Sequence, residues 1–180
     1  TIQSVGVQKI IVVTGYKAEL VKKFLGTSPN GDIKTVLQKG RFGTGDAVSC
    51  TKRLLKKFKG GLLILYGDMP LITPDCLDTL ISKHQSTGAG CTLLTAVAKN
   101  PTGFGRIVRD DQGRVLRIVE ENDASIYEKV IEEINVGAYC FDAESLFEAL
   151  KKVKAHNKKG EYYLTDTISL LSRMGKRIES

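Results

Sequence analysis

No apolar run in this sequence approaches a membrane span. The longest, residues 10–13 and 62–66, fall far short of the roughly 20 residues that a bilayer core requires. No charged-then-apolar leader opens the chain, which argues against a secretory signal. There is no initiator Met either, and Thr1 reads as a start within a fold. The four cysteines, Cys50, Cys76, Cys91 and Cys140, include no C-x-x-C pair, and His84 and His156 have no ligand spacing. This excludes the usual zinc patterns and leaves free thiols in a reducing cytosol as the expectation. No Ser/His/Asp or Cys/His arrangement supports covalent catalysis. No G-K-[ST] follows a glycine-rich turn, so a Walker loop is excluded. Internal repeats, linkers and hexapeptide patterns are all lacking. The few aromatics, 7% of residues, do not interleave with a basic stripe, so charge alone would have to carry any nucleic-acid reading.

What remains is ordinary globular composition, with 42% hydrophobic and 26% charged residues in 180, enough for a single domain over 1–180. The net charge is +7. The lysines fall in short groups, Lys22–Lys23, Lys56–Lys57, Lys151–Lys152 and Lys158–Lys159, each on or just after an amphipathic pattern, as solvated helix faces do.

Residues 9–14 (KIIVVT) form a β-branched run of the kind buried on both faces of a parallel sheet. Helical spacing of Leu20, Val21, Phe24 and Leu25 follows, with Gly26 at its end, and then a short strand over 33–37. The pattern predicts a helix over 45–58, a buried strand over 62–66 (LLILY), and a helix opened by Thr73-Pro74-Asp75. His84 lies on the polar edge of that helix. A strand over 91–98 is followed by two short strands, 106–109 and 114–119, flanking the hairpin signal Asp110-Asp111-Gln112-Gly113. A strand over 135–141, a helix capped by Asp142 and a last helix over 165–174 complete the pattern. Alternating strand and helix imply an α/β, doubly wound, mostly parallel sheet with an inserted β-hairpin. Ligands of such sheets bind beyond the carboxyl ends of the strands.

The chemistry-bearing segments stand at those ends. Tyr66-Gly67-Asp68-Met69-Pro70 directly follows a strand. Asp68 there could offer a hard oxygen to Mg²⁺, or simply make the turn before Pro70. The run from Gln38 to Ala47 joins a strand to a helix through Gly40, Gly43 and Gly45. Its amides could hold an anion or a polar ring, and Gln38 could pair with a nucleobase; the same run also reads as an ordinary turn. Gly105 precedes the hairpin, Glu120 ends it, Asn135 opens the next strand and Thr165 opens the last helix. Together they supply what a neutral sugar needs: donors and acceptors without a nucleophile.

In this order the stretches VLQKGRFGTGDA, LLILYGDMPLI, NPTGFGRIVR, RIVEENDAS, EEINVGAYCFD and GEYYLTD resemble the uridylyltransferase (pyrophosphorylase) domain of the bacterial bifunctional enzyme that makes UDP-N-acetylglucosamine. The resemblance implies a Rossmann-like nucleotidyltransferase fold and uridylyl transfer from UTP to N-acetylglucosamine 1-phosphate, giving UDP-N-acetylglucosamine and pyrophosphate. Alternatives within its reach are another sugar-1-phosphate nucleotidyltransferase and a non-catalytic sugar-nucleotide-binding module. By the resemblance, Gln38, Gly43 and Thr44 hold the uracil. Tyr66, Gly67 and Asp68 meet the nucleotide and the metal, with Asp68 a Mg²⁺ ligand. Gly105, Glu120, Asn135 and Thr165 meet the N-acetylglucosamine moiety. The setting it implies is cytoplasmic synthesis of a cell-wall precursor, with neither nucleic acid nor membrane as partner.

The sequence departs from the family at several places. Arg41 stands where a second glutamine is usual, and Asn122 where lysine is common. The family's opening strand and its L-A-A-G-x-G-T-R-M loop are not in this chain, nor is the V-N-N stretch that supplies a second metal ligand. The expectation is therefore a partial domain that lacks its first strand and is an incomplete catalytic unit.

Overall fold

The structure is a computed structural model, and residues 2–26 and 33–180 are described; Thr1 lies outside them. A 3-10 turn at Ile2–Val5 precedes β1 (Ile10–Thr14), α1 (Ala18–Leu25) and β2 (Ile33–Leu37). Then come α2 (Thr44–Ser49), β3 (Gly61–Leu65), α3 (Pro74–Thr87) and β4 (Cys91–Val97). The hairpin is β5 (Arg106–Arg109) and β6 (Val115–Val119), followed by α4 (Ile126–Lys129), β7 (Glu133–Asp142), α5 (Ala143–Leu150), α6 (Asp166–Arg173) and β8 (Ile178–Glu179).

The central sheet runs β6-β5-β7-β4-β8, and β3 also pairs with β7. The ten-residue β7 holds it together. One edge of β7 pairs with β4 throughout. The other meets β5 at Ile134, then β3 from Ala138 to Asp142. Both β3 and β4 run antiparallel to β7 and hence parallel to each other. The sheet is therefore more mixed than the strand–helix alternation implies. Directly parallel pairs are β1–β2 and β4–β8, because the segment returning from the hairpin wedges in as β7. Among the described residues, β1 and β2 form their own two-stranded sheet.

Helices cover both faces of the larger sheet, as expected of a doubly wound fold. Alternate residues of β7 sort the two cores. Tyr139 and Phe141 pack with Cys91, Leu93, Leu146, Ile168 and Leu171, under α5 and α6. Ala138 and Cys140 pack with Leu80, Ile81, Leu63 and Leu65, under α3. The capped start of α3 forms as its sequence predicts: the Thr73 hydroxyl accepts from the Cys76 amide, Pro74 sits in the first turn, and Gly88 closes the helix at φ 59°. His84 is buried, with Nδ1 3.0 Å from the Thr92 hydroxyl, and burial holds its pKa below the usual imidazole value.

One helix is shorter than expected, one short helix was not expected, and one loop is tied down by a buried charge. The helix expected over 45–58 ends at Ser49 and continues as irregular turns. The Ser49 and Thr51 hydroxyls donate back to the carbonyls of Gly45 and Val48, competing with the helical ladder. The short α4 forms on a capping box in which Ser125 and Glu128 exchange backbone bonds. Burial of Arg106, 1% exposed, ties the GFGR stretch down: its guanidinium pairs with Glu121 at 2.7 Å and donates to the Phe104 carbonyl. Glu121 also accepts from the Gly103 amide at 3.1 Å, so this pair shapes the loop that presents Gly105.

Candidate active site

Several of the expected residues are tied together by hydrogen bonds, in groups that span the turn after β2, the end of the hairpin, β7 and the start of α6. Gln38 follows β2, its amide donating to the Thr14 carbonyl at 2.8 Å. Its side-chain Nε2 donates to the Gly43 carbonyl at 3.0 Å and to Asp46 Oδ2 at 2.8 Å. Gly43 stands at φ 100°, and a Cβ there would come within 2.5 Å of the Tyr162 carbonyl oxygen; only glycine fits. That closeness is a zipper between two segments far apart in sequence. The Tyr162 amide donates to the Phe42 carbonyl at 2.7 Å, and the Gly45 amide to the Tyr162 carbonyl at 2.8 Å. The Leu164 amide donates to the Thr44 hydroxyl at 3.0 Å.

Thr165, next in line, donates its hydroxyl to Glu120 Oε1 at 2.8 Å. Glu120 Oε2 lies 3.5 Å from where a Gly105 Cβ would stand, and so does the Asn135 Cβ, so a side chain at 105 would crowd both polar groups. Asn135 is buried. Its Nδ2 donates to the Tyr139 hydroxyl at 2.7 Å, and its Oδ1 accepts from the Gly137 amide at 3.2 Å. The Tyr139 hydroxyl is in turn 3.4 Å from that of Tyr66, whose ring lies over Gly137. Thr44 lies near the Tyr66 phenol. Burial pushes the Tyr66 and Tyr139 phenols above the usual range, so both stay neutral donors.

Gly67 and Asp68 project beyond Tyr66 and are exposed. No described residue hydrogen-bonds the Asp68 carboxylate, and no group of three or more metal-binding side chains occurs among the described residues. A single free carboxylate fits a hard divalent cation that completes its shell with substrate oxygens and water.

Sequence reasoning missed several members of these groups. Tyr139 shares the strand face of Asn135 and Gly137, and a period-two reading of β7 would have found it. Its position also depends on an irregularity: Leu93 pairs with Tyr139 but Thr95 with Asn135, and Gly137 takes φ 90° in the gap. Such bulges re-aim side chains beside sites. Asp46 and Asp166 carried no signal of their own. The Asp166 carboxyl is pushed up by burial and by the nearby charges of Glu120 and Asp123. Burial, with the same acids, pushes the Tyr163 phenol up to about 12. This part of the site is acidic, suited to hydroxyl and amide donors rather than to a second phosphate.

The architecture and the site define the class: a Rossmann-like α/β fold of the kind seen in UDP-sugar pyrophosphorylases. The crystal structure of UDP-glucose pyrophosphorylase complexed with UDP-glucose superposes with a TM-score of 0.78 at 15% identity, covering 99% of this chain and 75% of that one. The sequence profile of the Nucleotidyl transferase family matches residues 1–180, and the chain belongs to that family. It is 47% identical over 172 residues to the bifunctional protein GlmU of Shouchella clausii (strain KSM-K16), covering 96% of this chain and 37% of that protein. It is 45% identical over 179 residues to the bifunctional protein GlmU of Oceanobacillus iheyensis, covering 99% and 38%. The chain thus spans under two-fifths of the curated relatives it matches.

Proposed function

We propose that this chain, as a single partial nucleotidyltransferase domain, carries the base and sugar contacts for uridylyl transfer from UTP to N-acetylglucosamine 1-phosphate. A phosphate oxygen of the sugar phosphate attacks the α-phosphorus, the bond to the β-phosphate breaks, and pyrophosphate leaves with the pair of electrons. No side chain becomes covalently attached; positioning and charge neutralisation carry such reactions. In this reading Gln38, Gly43 and Thr44 hold the uracil, while Gly105, Glu120, Asn135 and Thr165 orient the sugar. Tyr66 and Gly67 line the nucleotide between them. Asp68 holds Mg²⁺, which when bound screens phosphate charge. The setting is the cytoplasm; no helix among the described residues is long and apolar enough to cross a membrane.

The observation that supports the reading is two hydrogen-bonded groups, Tyr66–Tyr139–Asn135 and Glu120–Thr165, with the Gln38–Gly43 turn fastened by Thr44 to the residue before Thr165. The polar groups assigned to the base and those assigned to the sugar are thereby held by neighbouring segments. The GlmU relatives support the acceptor assigned here. Calorimetric titration of the chain with UDP-N-acetylglucosamine and UDP-glucose tests it. Tighter binding of the acetamido sugar is expected, lost in Glu120→Gln; equal affinity for the two would overturn the sugar assignment.

A further inference from the structure

Asp46 has no part in the assignment above, yet it is one of two groups that decide what Gln38 can offer a ligand. Both N–H bonds of the Gln38 amide are spent, one on the Gly43 carbonyl at 3.0 Å and one on Asp46 Oδ2 at 2.8 Å. Both partners are pure acceptors, so the amide has one chemically consistent orientation. Its Oε1 accepts from no described residue. The Gly43 amide, in the same turn, donates to no described residue either. The turn therefore presents a fixed acceptor and a backbone donor.

We propose that Asp46 is a positioning residue for base selection: it locks the Gln38 amide so that Oε1 alone faces the ligand, which selects a pyrimidine with a protonated N3. The inference rests on the assignment of Gln38 to the base. A uracil edge places N3–H beside an acceptor oxygen, matching an acceptor and a donor in one turn. A cytosine edge places a ring-nitrogen lone pair where uracil has N3–H, and two acceptors then face each other. A glutamine free to turn over would accept either, since it could offer Nε2 instead. A carboxylate at 46 removes that freedom, because turning the amide would set Oε1 against Asp46 and against the Gly43 carbonyl. A charge-assisted bond of this kind makes the wrong orientation costly, on the order of a tenfold preference or more.

The test is titration of the chain with UMP and CMP, together with side-chain amide NMR of Gln38. Wild type is expected to prefer UMP and to show Gln38 amide protons that exchange more slowly than those of exposed Gln112. Asp46→Ala and the near-isosteric Asp46→Leu should reduce the UMP:CMP affinity ratio about tenfold and speed exchange of the Gln38 amide protons, which keep only the Gly43 carbonyl as partner. Asp46→Asn, whose amide can turn to donate to Oε1 as well as to accept from Nε2, should leave the ratio reduced. A UMP preference unchanged in the folded Ala or Leu variant overturns the positioning role and leaves the base assignment standing. Gln38 protons in wild type that exchange as fast as those of Gln112 also overturn it, and need no variant. Wild type binding UMP and CMP equally overturns the base assignment, and the inference with it.

Discussion

Gly137 concentrates the constraints of the site into one residue. It takes φ 90°, and an added Cβ would stand 2.6 Å from the Tyr66 ring, too close for any real contact. Its amide also holds the Asn135 carbonyl oxygen that leaves Nδ2 free for Tyr139. Gly137→Ala should therefore act twice. The left-handed backbone and the displaced ring should cost about 1–3 kcal/mol, read as a lower midpoint in denaturant. Sugar-nucleotide affinity should also fall, because Tyr66 and Asn135 lose their register. A variant with wild-type stability would mean that Tyr66 moves aside freely and that the ring contact positions nothing.

At the scale of elements, α3 is bound to the sheet through one buried titratable group. The His84 ring meets the Thr92 hydroxyl of β4, and desolvation lowers its pKa, against a smaller opposing effect from Asp142. A lowered pKa means that the unfolded chain takes up a proton before the native chain does. Stability is therefore fully present above about pH 6.5, the ordinary imidazole value, and declines as pH falls through the lowered native value. His84→Gln can still meet Thr92 but cannot titrate, so it should flatten stability between about pH 7 and pH 5. Denaturant midpoints of the two proteins across that range check it; parallel curves would assign the acid sensitivity to another group.

For the molecule as a whole, the unusual feature is the division of the described strands into two sheets. Among the described residues β1 has β2 on one side only, and β3 has β7 on one side only. Tyr16, Leu20 and Phe24, around α1, are 76%, 62% and 78% exposed. Unpaired β-branched edges beside apolar surface template pairing with another chain. The purified chain should therefore self-associate as its concentration rises, seen by size exclusion with light scattering. A monodisperse monomer throughout a wide concentration range would show that these edges are adequately shielded.

Much of this molecule was legible without coordinates because its signals are local. The β-branched runs, the Thr73-Pro74-Asp75 start, the Asp110–Gly113 turn and the Asp142 cap each act within a few residues, and each formed where the chain placed it. The resemblance carried by the order of its polar segments was the source of the ten positions assigned to base, metal and sugar. Tertiary structure decided what depends on residues distant in sequence. It ran β7 antiparallel between β3 and β4, where alternation alone implied parallel neighbours. It zipped residues 42–45 to 162–164, brought Thr165 to Glu120, and set Tyr139 between Tyr66 and Asn135 through the bulge at Gly137. A hydrogen bond between Gln38 and Asp46 has no signature in composition or periodicity. The turn between them is fastened to residues 162–164, ahead of α6 and more than a hundred residues away, and only the assembled chain contains that geometry.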